Sequence, residues 1–198
     1  MSLEEELKKV SEERDRLGMI LEKQEPGKKD KEICKKYAEA LLKEHSLDLE
    51  YVVPIYTHQS GNIAEILQGG NFQLAKRILQ NLGDSSKVYL IDSEGKVCED
   101  TANEFSQEPR VVPIQCKLPE LPSIISPQSL DVVFGRHIEG YIDQSIVFEF
   151  LNKSLKPNGY FVELLFNPIQ DEYRAAGFRI LPDPFELKKP SVLVYQKL

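Results

Sequence analysis

Apolar side chains recur along the N-terminal segment at alternating steps of four and three residues. The positions that set this pattern are Leu3, Leu7, Val10, Leu17 and Leu21. A stripe with this spacing is typical of an amphipathic helix or a short coiled coil, and Arg14 interrupts it. Ser2 followed by Glu5 matches a capping box, so we expect a helix over residues 2–23. This helix would either pair with a protein partner or a second copy, or pack on its own domain, and the stripe leaves both open.

Residues 25–30 combine proline, glycine and charge, which is typical of a turn or linker. A second amphipathic helix is predicted over residues 31–45, and its apolar face carries Ile33, Tyr37, Ala40 and Leu41. Lysines alternate with glutamates in this helix, so its polar face is expected to be solvated rather than to bind nucleic acid. Residues 1–45 are therefore predicted to form an N-terminal helical region.

From Tyr51 onward the pattern changes to short β-branched or aromatic runs that alternate with helical segments. The predicted strands cover residues 51–56, 87–92, 110–115, 130–135, 160–166, 178–181 and 191–195. The predicted helices cover residues 63–82, with a break at Gly69-Gly70, and residues 99–105 and 144–155.

This alternation determines the expected fold class. Strands separated by helices pair in parallel through right-handed crossovers, whereas the last two strands have no helix between them and should form an antiparallel hairpin. We therefore expect an α/β domain over residues 51–198 with a Rossmann-like, doubly wound, mostly parallel seven-stranded sheet, preceded by the N-terminal helices.

Composition narrows the classes of partner. The chain has 198 residues and a net charge of −7, from 25 Lys and Arg against 32 Asp and Glu, so nucleic acid is not indicated as a partner. No apolar stretch is long enough to cross a membrane, and the N-terminal residues are too charged for a secretory signal. Three cysteines, at Cys34, Cys98 and Cys116, match no metal or disulfide spacing. These features predict a cytoplasmic protein, with the nucleus as the other possibility.

Two stretches resemble motifs of class I S-adenosylmethionine-dependent methyltransferases. Residues 129–143 resemble the fourth motif of that family, and residues 155–159 resemble its L-K-P-G-G turn, with Asn158 in place of the first glycine. Gly177-Phe178, which leads into the closing strands, is similar to the start of the family's C-terminal hairpin. The resemblance covers residues 51–198. It implies the methyltransferase fold and, in an active member, S-adenosylmethionine as cofactor.

The cofactor loop of the family departs most from this sequence. In the family the first strand runs into an acidic-x-Gly-x-Gly-x-Gly loop, whose glycines let the backbone approach the cofactor. With the first strand at residues 51–56, this loop aligns with residues 55–61. Ile55 then replaces the acid, Thr57 and Gln59 replace the first two glycines, and Gly61 alone is kept. We therefore expect no cofactor, because these side chains would fill its space.

Other cofactor positions are implied only by the resemblance. Asp92 ends the second predicted strand, where the family's acid binds ribose, although aspartate also favours strand-end turns. If a cofactor binds, the candidate contacts are Thr57, Gln59, Gly61, Asp92, Gln115 and Gly135. His58 and His137 follow two strands that would be neighbours in the sheet. They would form either an acid–base or metal pair, or be loop histidines that make ordinary hydrogen bonds. No third ligand accompanies them, so we expect no metal, and no catalytic residue is assigned.

Three hypotheses result. The leading one is a catalytically inactive methyltransferase-like domain, a pseudoenzyme that binds or scaffolds proteins through the N-terminal helix or the crevice. The alternative is an active S-adenosylmethionine-dependent methyltransferase with a divergent loop. The third is a scaffold domain similar to that of anamorsin, without that family's cysteine cluster.

Overall fold

A computed structural model describes residues 2–25, 30–57, 61–66, 69–136, 138, 142–164, 177–181 and 192–198. The chain divides into two compact units, Met1–Val52 and Val53–Leu198. The helices are α1 (Leu3–Glu22), α2 (Lys31–Thr57), α3 (Gln73–Gln80), α4 (Gly95–Glu104) and α5 (Gln144–Ser154), with a 3₁₀ turn at Leu118–Ser123. The strands are β1 (Asn62–Ile66), β2 (Lys87–Asp92), β3 (Val111–Gln115), β4 (Leu130–Arg136), β5 (Leu155–Leu164), β6 (Phe178–Ile180) and β7 (Val192–Lys197). Within the described residues, no helix has the length and apolar character needed to cross a membrane.

The first unit confirms the predicted N-terminal helix. The Ser2 hydroxyl accepts from the Glu5 amide at 3.1 Å, and the Ser2 amide donates to the Glu5 carboxylate at 2.8 Å, which completes the capping box. Arg14, which interrupts the apolar stripe, is 4% exposed and donates to Glu44 of α2 at 2.7 Å. Glu44 is fully buried, and burial raises the pKa of its carboxyl against the opposing pull of Arg14. Arg14 is therefore an internal ion-pair partner.

The apolar stripe of α1 is buried within the chain at Leu7, Val10, Leu17 and Leu21. Self-association or partner binding through this helix stays a prediction.

The strand predicted over residues 51–56 is wrong, because these residues form the end of α2. Their β-branched character favours a strand, but Leu49, Val52 and Val53 lie on one helical face and are all buried. The helix continues through Pro54, and its last residue, Thr57, donates its hydroxyl to the Val53 carbonyl at 2.6 Å. Burial of the apolar face here outweighs local strand propensity and the hydrogen bond that the proline removes.

The second unit confirms the predicted fold class. The seven strands of its described residues form one sheet in the order β3-β2-β1-β4-β5-β7-β6. The pairs among β1 to β5 are parallel, and β7 is antiparallel to both β5 and β6, as expected for a closing hairpin. The strand order reverses between β1 and β4, and ligands of open α/β sheets bind at such switch points, outside the carboxyl ends of the strands.

The helix predicted over residues 63–82 is partly wrong. Its first part is β1, the central strand, which pairs with β2 on one side and β4 on the other. Four of its five residues are buried, so it lacks the apolar–polar alternation that marks a strand with one solvated face. Gly69 and Gly70 follow with φ angles of 62° and 74°, and only then does α3 begin.

The remaining elements lie close to their predicted positions. β2 has the predicted bounds, β4 is one residue longer than predicted, and α5 ends one residue earlier. β5 begins at Leu155, so the turn that resembles L-K-P-G-G lies within its first half, where Asn158 has a φ of 64°. Asparagine accepts this left-handed backbone better than most residues. The main core lies against β4, β5 and α5 and includes Val133, Phe150, Leu151, Leu155, Phe161 and Tyr195.

Candidate functional site

Three charged side chains lie at the carboxyl ends of neighbouring strands. Glu65 on β1 is paired in register with Leu90 of β2 and Phe134 of β4. Asp92 and Arg136 each lie two residues beyond those partners. Because side chains alternate between the faces of a sheet, Glu65, Asp92 and Arg136 project from the same face. We call these three residues, with the loop at residues 69–71 that Asp92 and Arg136 contact, the carboxyl-edge cluster.

Glu65 and Arg136 form the charged centre of the cluster. Oε1 of Glu65 accepts from Nη2 of Arg136 at 2.6 Å and from Nε at 3.2 Å. Within the described part of the chain, the other oxygen, Oε2, is buried and has no hydrogen-bond partner. Burial raises the pKa of Glu65 to about 7, although the Arg136 charge and hydrogen bonds oppose the rise.

The loop after β1 is held by strands on both sides. The Gly69 amide donates to Oδ2 of Asp92 at 2.9 Å, and the Glu94 amide donates to Oδ1 at the same distance. From β4, Nη2 of Arg136 donates to the Asn71 carbonyl at 2.6 Å. Asp92 and Arg136 therefore set the position of the loop relative to Glu65.

Glycine at position 70 leaves room beside this loop. Among the described residues, no heavy atom lies within 4 Å of a Cβ built on Gly70, and the φ of 74° would strain any other residue there. A left-handed backbone next to open space lets a ligand approach the main chain closely. The cluster thus combines an accessible backbone, a carboxylate with a buried unpaired oxygen, and a guanidinium group.

Comparison with known proteins supports a fold assignment. No protein-family model matches the sequence, and no curated protein matches it. Among solved structures, an S-adenosylmethionine-dependent methyltransferase from Aquifex aeolicus superposes with a TM-score of 0.62 at 16% identity, over 75% of this chain and 88% of that one. The CurJ carbon methyltransferase gives a TM-score of 0.57 at 14% identity, over 80% of this chain and 55% of that one. The chain has the fold of a class I S-adenosylmethionine-dependent methyltransferase.

Geranyl diphosphate C-methyltransferase from Streptomyces coelicolor A3(2), solved with S-adenosylhomocysteine, gives a TM-score of 0.51 at 16% identity. This alignment covers 70% of the present chain and 52% of that protein. The chain therefore spans most of the Aquifex methyltransferase but about half of the other two. At these identities the likeness establishes the fold and leaves activity and substrate as proposals.

The methyltransferase loop pattern fits residues 65–71 better than residues 55–61. With β1 in its observed place, Glu65 occupies the acidic position of acidic-x-Gly-x-Gly-x-Gly, and Gly69 occupies the second glycine. Leu67 and Asn71 stand at the first and third glycines. The assignment of the loop to residues 55–61 rested on a strand predicted over residues 51–56, where the structure has the end of α2.

The sequence-predicted cofactor contacts divide between two locations. Thr57 ends α2, and Gly61 precedes β1 at the amino edge of the sheet, where its amide donates to the Ser86 hydroxyl at 3.0 Å. Gln59 lies outside the described residues. The predicted strand over residues 51–56 would have placed Thr57 and Gly61 at the carboxyl edge. In the structure neither residue follows a strand there.

The other three predicted contacts lie at the carboxyl edge. Asp92 belongs to the cluster, and Gln115 is its register partner at the end of β3. The Gln115 amide packs against Gly95, where an added Cβ would approach it to 3.1 Å. Gly135, near the end of β4, lies against Phe161, so its missing side chain makes room for core packing. Asp92 is thus the predicted residue that makes direct contact with the loop.

Sequence reasoning missed Glu65, Gly69 and Arg136. The available signal was an acid followed four and five residues later by Gly69-Gly70, immediately before an amphipathic helix. Assigning the whole stretch to a helix hid this order. Arg136 carried no signal of its own, because its role depends on a carboxylate 71 residues earlier.

Other candidate chemistry adds little to the site. His58 and His137 lie outside the described residues. Burial raises the pKa of the Cys116 thiol to about 11 and also raises that of Cys98, which disfavours the nucleophilic thiolate. Among the described side chains, no group of three or more His, Cys, Asp or Glu residues could hold a metal ion.

A cleft of about 510 Å³ lies at the opposite, amino edge of the sheet. Its walls include Tyr56 and Tyr160, whose ring centroids are 5.0 Å apart, and the ion pair of Asp131 with Lys156 at 2.7 Å. Asp131 also accepts from the Asn62 amide at 2.8 Å, so its carboxylate anchors the start of β1.

Proposed function

We propose that the unit Val53–Leu198 binds S-adenosylmethionine at the carboxyl-edge cluster and acts as a methyltransferase. The observation that supports this most is the buried Oε2 of Glu65, which has no partner among the described residues and lies at the sheet edge where this fold binds ligands. A buried carboxylate oxygen without a donor is costly, and a ligand ammonium group would remove that cost. The pseudoenzyme hypothesis loses its main support, because it placed the cofactor loop after a strand over residues 51–56, and these residues form the end of α2.

The residues of the cluster fit the chemical groups of this cofactor. Glu65 would accept from the ammonium group of the methionine moiety, and Asp92 would accept from ribose hydroxyls in addition to its two amide donors. The open space beside Gly70 would admit the thioether region along the backbone. S-adenosylmethionine supplies an electrophilic methyl group on a sulfonium, and transfer requires mainly that the acceptor be held in line with it.

The second candidate function is a binding or scaffolding module without catalysis. One observation favours it: Arg136 already links Glu65 to the Asn71 carbonyl, so the charge of the acid is partly compensated without a ligand. Protein partners would then use the surface of this unit or the N-terminal helix. The two candidates differ in one measurable property, which is affinity for the cofactor.

Calorimetric titration with S-adenosylmethionine and S-adenosylhomocysteine separates them. We expect saturable binding near micromolar affinity, about −8 kcal/mol. Asp92→Asn should weaken it by tenfold or more, because a hydrogen bond to a charged acceptor contributes roughly 1.5–3 kcal/mol. Asp100→Asn, which removes an exposed carboxylate paired with Lys96 on α4, is the matched control and should bind like the wild type. An absence of heat and of thermal stabilisation at millimolar ligand would favour the binding module.

A further inference from the structure

Arg136 has a position that suggests a specific role in ligand uptake. We propose that Arg136 is a positioning residue that holds Glu65 as a carboxylate and thereby makes uptake of an ammonium-bearing ligand at the carboxyl-edge cluster depend on pH. This inference rests on the proposed function, since it concerns how the same site recognises the amino-acid end of its ligand.

The geometry of the ion pair is one-sided. Both hydrogen bonds that Arg136 donates to Glu65 reach Oε1, at 2.6 and 3.2 Å. Oε2 has no donor among the described residues, so it can accept a hydrogen bond from a ligand. The Glu65 side chain is fully buried, whereas 13% of the Arg136 side chain is exposed. The pair is thus arranged to stabilise the anion while leaving one of its oxygens for a ligand.

Few charged groups surround Glu65 among the described residues. Its register partners are apolar, Leu90 on β2 and Phe134 on β4, and α3 buries Leu74 and Ile78 rather than charge. Asp92 is the other carboxylate of the cluster, and its oxygens accept from two amides. Arg136 is therefore the group whose charge and hydrogen bonds oppose the burial of Glu65.

The balance between burial and Arg136 places the titration of Glu65 near neutrality, with a pKa of about 7. Below this pH the protonated acid carries a proton that a ligand ammonium would have to displace. If only the carboxylate binds the ammonium, the competent fraction rises from about one tenth at pH 6 to about nine tenths at pH 8. Affinity should rise about tenfold over that range, with proton release on binding.

The test measures S-adenosylhomocysteine affinity by calorimetry at pH 6, 7 and 8. Two buffers of different ionisation enthalpy at each pH report the number of protons released on binding. If Arg136 had a purely structural role, its replacement would not change this number. The comparison ligand is 5′-methylthioadenosine, which has the adenosine and thioether groups but lacks the amino-acid end. We expect a tenfold rise and proton release for S-adenosylhomocysteine, and a flat profile for 5′-methylthioadenosine.

Three variants assign the effect to the ion pair. Arg136→Gln removes the charge that favours the carboxylate, so the midpoint of the affinity profile should move up by one pH unit or more. Arg136→Lys restores a cation and should return the midpoint toward the wild-type value. Glu65→Gln keeps the shape of the side chain without its titration and should give a flat profile. If Arg136→Gln fails to fold, Arg136→Lys and Glu65→Gln still provide the comparison.

The outcomes distinguish this inference from the proposed function. Equal S-adenosylhomocysteine affinity at pH 6 and 8, or the same pH dependence for both ligands, would overturn the role of Arg136 while leaving cofactor binding in place. A wild-type midpoint retained in Arg136→Gln would also overturn it. Binding of neither ligand at any pH would overturn the proposed function, and this inference with it.

Discussion

Glu65→Gln should change how the stability of the protein depends on pH. The Glu65 carboxyl is fully buried in the central strand, and its pKa is raised to about 7 from an ordinary value of 4.5. The folded state therefore binds this proton more tightly than the unfolded chain does. The stabilisation linked to the proton is fully present below pH 4.5 and is lost as the pH rises through 7.

The size of the effect follows from the difference between the two pKa values. A shift from 4.5 to about 7, at about 1.36 kcal/mol for each pKa unit, amounts to about 3 kcal/mol in total. Most of this change falls between pH 5 and 7.5. Glu65→Gln removes the titrating group, so the free energy of unfolding of the wild type should fall relative to the variant across that range. The loss of the partner of Arg136 shifts the variant by a constant amount, because arginine does not titrate there.

Urea unfolding at half-unit steps from pH 5 to 8 measures this difference. Glu99→Gln, which removes an exposed carboxylate from α4, controls for the general loss of one negative charge. The informative quantity is the slope of the difference in unfolding free energy against pH, not its value at any one pH. A difference in unfolding free energy that stays constant within 0.5 kcal/mol, which corresponds to about a third of one pKa unit, would contradict the reasoning. It would mean that Glu65 titrates alike in the folded and unfolded states.

Side chains away from the cluster give three further tests. Lys197 donates to two carbonyls at the end of α5 at 2.6 and 2.8 Å, so Lys197→Met should lower the unfolding free energy by about 2 kcal/mol, with Lys197→Arg as the comparison. Gly61→Ala places a Cβ 2.5 Å from Asp131, so we expect a loss of about 1–3 kcal/mol with unchanged S-adenosylhomocysteine affinity; weaker binding would restore Gly61 as a cofactor contact. Arg14→Met leaves Glu44 buried without its cation and should lower hydrogen-exchange protection of α1 by about 3–5 kcal/mol. Changing both residues to Met should recover most of that loss, and a double variant no better than the single one would refute the assigned pair.

Local patterns were sufficient for the elements whose neighbours in sequence determine them. β2 and β4 are short apolar runs between clear turn signals, and both occur close to where they were predicted. The closing hairpin followed from the absence of a helix between its strands. The parallel sheet followed from the alternation of strands and helices, which constrains topology even where a boundary is misplaced.

The errors occurred where burial is decided by distant parts of the chain. Residues 51–56 are β-branched but complete an apolar helical face, and no local rule weighs those two tendencies against each other. β1 contains Glu65, whose buried carboxylate in a central strand is compensated by Arg136. Arg136 lies 71 residues further along the chain. One misassigned strand then placed the end of the predicted cofactor loop, Gly61, before β1 at the amino edge of the sheet.

The position of the loop decides which residues of this chain stand at the family's cofactor positions. With the loop at residues 55–61, the site lacked an acid and nearly all its glycines, and loss of the cofactor followed. With the loop at residues 65–71, Glu65 and Gly69 are present, and the departures are Leu67 and Asn71 in the loop and Arg136 opposite the acid. Asn71 is held through its carbonyl by the same Arg136 that pairs with Glu65, so two of the unusual features are physically linked. Arg136 therefore sets the charge of the proposed site, and a binding profile against pH measures this effect directly.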